Sequence, residues 1–311
     1  MGRAVNHQNI IDCYDFMRVV ANAGIFDLTE GIYLDRNTDY NLAQSLQRNY
    51  LLDQVGCKHG SRILDIGCGN GTLLEDAIKR GASVVGINIS PSQVDRCKKK
   101  GLDVRLINYL EIPYKLNEKF DGVIANGSAE HFVQPLDVLE GRQNDIYREM
   151  FKIVYDTLDN NSDSRKFATT IIHFNDFRTP NPSILFSNPF KYPLGSDEFH
   201  FSQVLRNLGG YYPVKGQLER AAEGYFTLER EVDGTRDYDL TSEHWRNEMI
   251  KGFTRKPSVM IDLLSTFIRK PVYTLKILST SIIFGSWGWQ FIPDKNGQTP
   301  TKLYRHTWKA V

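Results

Sequence analysis

The chain has few cysteines. The four in its 311 residues, Cys13, Cys57, Cys68 and Cys97, make no C-x-x-C pair and no His/Cys ligand spacing. A disulfide framework and structural zinc are therefore excluded as organising devices, and no metal site is expected. Charge of one sign is lacking too. Thirty-eight Lys and Arg stand against 37 Asp and Glu, for a formal net charge of +1. No nucleic-acid surface is expected on that balance, and the run Lys98-Lys99-Lys100 reads as a solvated helix end. Long apolar runs are missing as well. The most apolar region, 258–292, is broken by Arg269, Lys270 and Lys276, and its uncharged piece, Ile277 to Pro293, is 17 residues with Ser, Gly and Pro inside it. That is short of a membrane span, so buried helices or a lid are expected, with a transient contact at a membrane surface as the alternative. The first residues lack the apolar core of a signal peptide, and Asn6 spoils a myristoylation pattern. A cytoplasmic location is the expectation.

What is present is a 41% hydrophobic composition, enough for a sizeable core in one or two domains. The chain is organised around Arg62-Ile63-Leu64-Asp65-Ile66-Gly67-Cys68-Gly69-Asn70-Gly71-Thr72-Leu73-Leu74. It reads as strand, tight loop and helix. Glycines at 67, 69 and 71 let the backbone bend sharply and let a ligand lie against it. The helix that follows aims unpaired N–H groups at that ligand. A dinucleotide fingerprint would need its third glycine at 72, which is Thr72. The pattern is instead an acid, Asp65, followed by G-x-G-x-G.

The periodicity predicts helices over 8–23 and 41–55, the latter with Leu42, Leu46, Tyr50, Leu51 and Val55 on one side. Strands follow over 83–89, 103–109, 120–125 and 166–174, with a helix from Pro91 and a long one over 138–158. Residues 175–215 read as a Pro- and Phe-rich inserted loop, 225–232 as a sixth strand, 242–285 as helical and 302–310 as the last strand. Strands alternating with helices argue a doubly wound parallel sheet. The expected layout is an N-terminal helical cap segment, 1–60, a core, 61–175, and a cap insertion with the last strands, 176–311.

Ligands of such sheets bind at the carboxyl ends of the strands. Those ends carry Asn88, then Asn108 and Tyr109, then Asn126-Gly127-Ser128-Ala129-Glu130-His131-Phe132. Asn can accept or donate toward a ligand, and the Tyr109 ring can stack on a planar group. Asn88 and Asn108 can equally be strand-end turn residues.

The acid and glycine pattern resembles motif I of class I methyltransferases, which bind S-adenosylmethionine (SAM). Val85-Gly86-Ile87-Asn88-Ile89-Ser90-x-x-Gln93 resembles the G-(I/L/V)-T-(I/L)-S-x-x-Q segment of the cyclopropane fatty acid synthase family. Glu130-His131-Phe132 is similar to that family's F-E-H segment, Phe26-Asp27-Leu28 to its Y-D-L start, and Leu208-Gly209-Gly210-Tyr211-Tyr212-Pro213 to its K-Y-I-F-P-G-G segment. The resemblance runs from about residue 26 to 250. It implies a Rossmann-like class I methyltransferase: a seven-stranded, mostly parallel, doubly wound sheet with a helical cap. It implies SAM contacts at Asp65, Gly67, Gly69, Gly71, Asn88, Ile89, Gln93, Asn108, Tyr109 and Asn126. It also implies a bicarbonate beside the methyl group, held by a Cys, a Glu, a His and a Tyr. These positions fall on Glu130, His173 and Tyr238; the Cys has no counterpart, its stretch being shortened near Asp39-Tyr40-Asn41-Leu42.

SAM is a sulfonium attacked in line, so positioning is the main requirement. An alkene acceptor would pass through a carbocation that needs a nearby anion and a base. Glu130, with His173 and Tyr238 converging on it, meets that need. An amine acceptor would use Glu130 and His131. Each of the four has a plain structural reading too: Glu130 as a helix cap, His131 as a surface residue, His173 as a satisfied core histidine, Tyr238 as packing. The acceptor expected first is an apolar, unsaturated, lipid- or isoprenoid-like molecule methylated on carbon. Phe186, Phe190, Phe199, Phe201, Leu263, Phe267, Trp287 and Trp289 would wall its cavity. A small-molecule N-methyltransferase, as in plant alkaloid enzymes that resemble the same family, is the alternative. A SAM-binding protein without catalysis is a third reading.

Overall fold

A computed structural model describes residues 16–311 of the chain. Its centre is a seven-stranded sheet: β1 (Arg62–Ile66), β2 (Ser83–Asn88), β3 (Val104–Leu106), β4 (Gly122–Asn126), β5 (Lys166–Phe174), β6 (Phe226–Asp233) and β7 (Thr301–Ala310). The strand order is β3-β2-β1-β4-β5-β7-β6. The pairings are parallel from β3 through β5, and β7 runs antiparallel between β5 and β6. This is the class I methyltransferase fold expected above. Four of the five β1 residues are buried, as in a strand covered on both faces.

Local chemistry explains the helices that frame the sheet. The helix Thr72–Lys79 starts at Gly71, carries Glu75 in its first turn and Lys79 in its last, and so answers its own dipole. The helix Pro91–Lys99 has Ser90 as N-cap, Pro91 in its first turn and Arg96, Lys98 and Lys99 at its end.

Several expected elements differ. Residues 8–15 of the first helix lie outside the described residues; Met17–Ala23 is helical. The second helix, Tyr40–Gln54, turns Gln44 and Gln47 inward and leaves Leu42 exposed, because its inner face meets polar groups. The third strand is only three residues, and Asn108 opens a 3-10 turn instead of closing the strand. The expected long helix is two, Pro135–Leu139 and Gln143–Thr157, since Gly141 takes a left-handed φ of 72° between them. The region read as a loop contains a helix, Asp197–Leu208. Ser196 caps it, Asp197 and Glu198 sit in its first turn, and Gly209 ends it at φ 80°. The C-terminal helical region starts earlier and is cut at its prolines: Thr235–Arg255, Pro257–Arg269 and Pro271–Leu278. No described helix is long and apolar enough to cross a membrane.

Candidate active site

The order in which strands are added reverses between β1 and β4, since β1 leads outward to β2 and β3 while β4 leads to β5. A ligand crevice opens at that switch point. Two loops meet there. Ser128, after β4, donates its hydroxyl to the Ile66 carbonyl at 2.7 Å. A Cβ on Gly67 would lie 2.6 Å from the Cβ of Ser128, and Gly67 has φ 81°. Only glycine permits both that turn and that approach.

Two small clefts flank Gly67. One, of about 70 Å³, is lined by Asp65, Gly67, Gly69, Gln93, Asn126 and Gly127 among others. The second, of about 60 Å³, is lined by Ile66, Ile87, Asn88, Ile89, Asn108, Tyr109 and His131 among others. Asp65 is 2% exposed, and among the described residues its Oδ1 has no hydrogen-bond partner. Burial pushes its carboxyl up to about 7. A buried carboxylate with an unmatched oxygen calls for a cation, and space above Gly69 is open. These residues fit SAM, whose ammonium is such a cation. Asp65 would take the ammonium, the Gly67–Gly69 backbone the amino-acid end, and the apolar cleft with Tyr109 the base.

Other expected donor-side residues have structural work. Asn88 accepts from the Ser90 N–H and donates to Gln93 Oε1, both at 2.9 Å. Asn108 accepts from Leu110 N–H while Glu111 accepts from Asn108 N–H, a capping box. Tyr109 stacks on Phe132 at 3.9 Å. Gly71 has structural work as well. It lines neither cleft, and a Cβ there would lie 2.5 Å from Leu102 Cδ1, so it serves packing and the helix start.

A third, larger cavity of about 780 Å³ adjoins both clefts, sharing Gly127 and Leu28 with the first and His131 with the second. Its walls are mostly apolar, with Met249, Ile277, Leu278, Ile282, Trp287 and Trp289 among them. Glu130 stands where the cavity meets Gly127. It is 3% exposed, and no described group bonds its Oε2. Burial, with a smaller contribution from Glu30, pushes its carboxyl up to about 8. Tyr238 lines the same cavity from the helix Thr235–Arg255 and stacks on Phe291 at 4.3 Å. Burial first, then the Glu130 carboxyl, raise its hydroxyl well above the usual range. His131 is half-buried and joins the cavity to the base-side cleft.

His173 does not join them. Register pairs it with Lys302 and puts it on the face of Thr169 and Ile171, with Tyr304 and His306 of β7; Arg305 lies on the other face. Its Nδ1 meets the Ile171 carbonyl at 3.1 Å, and its ring lies 5.0 Å from Tyr304 and 5.3 Å from His306. Burial and His306 hold it neutral, down to about 3. It is a satisfied core histidine. The residues present therefore do not fit a bicarbonate: of the implied set, Glu130 and Tyr238 reach the cavity, His173 does not, and the Cys is missing. The cap aromatics are also corrected. Trp287 and Trp289 line the cavity, whereas Phe199 and Phe201 are core and Phe186 and Phe190 are exposed.

A buried polar chain beside the site was missed in the sequence. Arg305 bonds Glu30 at 3.1 Å, Asp237 at 2.9 Å and the Gly31 carbonyl at 2.9 Å. Gln47 donates to Glu30 Oε1 at 3.4 Å and to Asn126 Oδ1 at 2.8 Å. The chain thus runs from the helix bearing Tyr238 to the strand end that carries Asn126 and Gly127. The available signal was Arg305 itself, an arginine in the middle of the last strand. Among the described residues, no cluster of His, Cys, Asp and Glu could hold a metal ion.

The strand order and the glycine turn define the class I methyltransferase fold. Within that class, the chain belongs to the mycolic acid cyclopropane synthetase family, whose profile matches residues 31–265. Over 130 residues it is 28% identical to the ubiquinone biosynthesis O-methyltransferase of Acinetobacter baumannii, covering 40% of this chain and 54% of that one. The chain thus spans about half the length of the curated relatives it matches. The cyclopropane synthase MmaA2 from Mycobacterium tuberculosis has a similar structure, with TM-score 0.71 at 17% identity over 99% of both chains. Coclaurine N-methyltransferase bound to N-methylheliamine and SAH has TM-score 0.69 at 14% identity, over 99% of this chain and 88% of that one.

Proposed function

We propose that this protein transfers the methyl group of SAM to a carbon of an apolar, unsaturated acceptor, lipid- or isoprenoid-like, held in the cavity of about 780 Å³. The observation that carries the reading is Glu130: one buried carboxyl, with an unmatched oxygen, set in an otherwise mostly apolar chamber next to Gly127. SAM, when bound, supplies an electrophilic methyl on a positive sulfur. Asp65 orients the donor through its ammonium. The apolar walls exclude water from the acceptor. Glu130 ionises when positive charge develops beside it, stabilises that charge and takes the proton that leaves the acceptor carbon. Tyr238 narrows the chamber next to it. Membership of a family named for mycolic acid cyclopropane synthetase supports a lipid-like acceptor.

A second reading is an amine acceptor. Asp239 and Glu243 reach the same cavity and favour it, although Glu243 already pairs with Arg36 at 3.1 Å. Incubation with methyl-labelled SAM and a panel of unsaturated lipids, prenyl compounds and amines tests both. The proposal expects label on carbon of an apolar acceptor. Label on nitrogen alone would overturn it in favour of the second reading.

A further inference from the structure

The helix Pro257–Arg269 buries a mixed face: Val259, Asp262 and Thr266 lie inward, and Asn22 donates to Asp262. The opposite face is apolar and open: Ile261, Leu264 and Ile268 are 65%, 55% and 79% exposed. Val272 and Leu275 continue this surface on the helix Pro271–Leu278. An amphipathic helix of a water-soluble fold normally buries its apolar stripe, so this face is built for a partner other than water.

The charges around it say which partner. From residue 251 to 276 the chain carries Lys251, Arg255, Lys256, Arg269, Lys270 and Lys276 against one acid, the inward Asp262. All six cations are exposed or half-exposed. An apolar row set among cations matches the surface of an anionic bilayer, where aliphatic side chains enter the acyl boundary and cations meet headgroups. The helices are too short to span it.

The patch also leads inward. Ile283 and Ile292 are exposed on the outside and line the large cavity as well, and Ile277 and Leu278 of the second helix form its wall. A π-helical turn, Ser279–Ile283, makes this junction.

We infer that the face formed by residues 257–278 docks on an anionic lipid surface and opens the acceptor cavity toward it. The purpose of this contact, delivery of the acceptor without passage through water, rests on the lipid-like acceptor proposed above; the docking surface itself does not.

The test is sedimentation of the full chain with vesicles of phosphatidylcholine alone or mixed with phosphatidylglycerol. The chain sediments with the mixed vesicles, and less so as salt rises. Ile261→Glu/Ile268→Glu and Arg269→Glu/Lys270→Glu each weaken that binding by about tenfold or more, a scale set by headgroup attraction of about a factor of five per cation. Circular dichroism and binding of S-adenosylhomocysteine stay at wild-type level, which shows that the variants fold. Failure to sediment with anionic vesicles, or equal sedimentation of wild type and both variants, overturns the inference. A dimer in solution that Ile261→Glu/Ile268→Glu abolishes, without vesicle binding, assigns the face to a second copy and also overturns it. Loss of S-adenosylhomocysteine binding in the wild type would count against the methyltransferase reading, not against docking.

Discussion

Arg305 and Glu30, 275 residues apart, form an ion pair at 3.1 Å with side chains 2% and 1% exposed. Gly234 makes room for it, since a Cβ there would lie 2.7 Å from Arg305 Nη1. Removing one partner leaves the other charge buried. Arg305→Met should therefore cost about 3–5 kcal/mol in urea unfolding, and Glu30→Met/Arg305→Met should recover part of that loss. An Arg305→Met variant as stable as wild type would show that the pair does not hold the cap to the sheet.

With Asp65 proposed to hold the donor's ammonium, it should set the pH dependence of donor binding. Burial lifts its folded value to about 7, so it is mostly neutral at pH 6 and mostly ionised at pH 8. The ionised form is the one that attracts an ammonium. SAM affinity should rise by several-fold between pH 6 and 8, at most about tenfold per unit. Asp65→Asn should bind weakly and lose that slope. Calorimetric titrations of both proteins across this range check it.

Glu130→Gln keeps the shape of the cavity end and removes the ionisable group. Turnover should fall by about 100-fold or more, with SAM affinity changed less than about threefold. In wild type, kcat/KM should rise with pH toward the folded value of about 8, and bound sulfonium should pull the kcat profile lower. Unchanged turnover removes Glu130 from the chemistry.

Glu130 can be linked to stability as well. Its folded value, about 8, lies above the ordinary carboxyl value, so the native state keeps its proton while the unfolded chain loses it. Stability is thus lost as pH rises from about 4.5 toward 8, by at most about 1.4 kcal/mol per unit from this group. Glu130→Gln should flatten that part of the unfolding profile.

Much of this was legible in the sequence. β5 falls on its expected bounds, Lys166–Phe174, because a stretch rich in β-branched and aromatic residues has little competing reading. The glycine turn announces itself through residue types that the turn requires. His173 was misplaced because a strand residue's face depends on register with β7, where its partner is Lys302. Gln47 and Glu30 were overlooked because polar residues on an amphipathic helix and in a loop look solvated until Arg305 is known to sit beside them. The helix Asp197–Leu208 was hidden by the prolines before it, although Ser196 with Asp197 and Glu198 is a start signal.

Gly210 lets its segment pack closely against the Glu130 backbone. It sits at φ 86°, and a Cβ there would lie 2.6 Å from the Glu130 carbonyl oxygen. Gly210→Ala should cost about 1–3 kcal/mol in stability. It should also lower turnover more than SAM affinity, measured side by side. His173→Gln, on the other face, should leave turnover within about threefold in the folded fraction.

The most direct measurement is calorimetric titration of the full chain with SAM and with S-adenosylhomocysteine. One site for each is predicted, lost together in Asp65→Asn. A wild-type chain that takes up neither compound would contradict the account at its root.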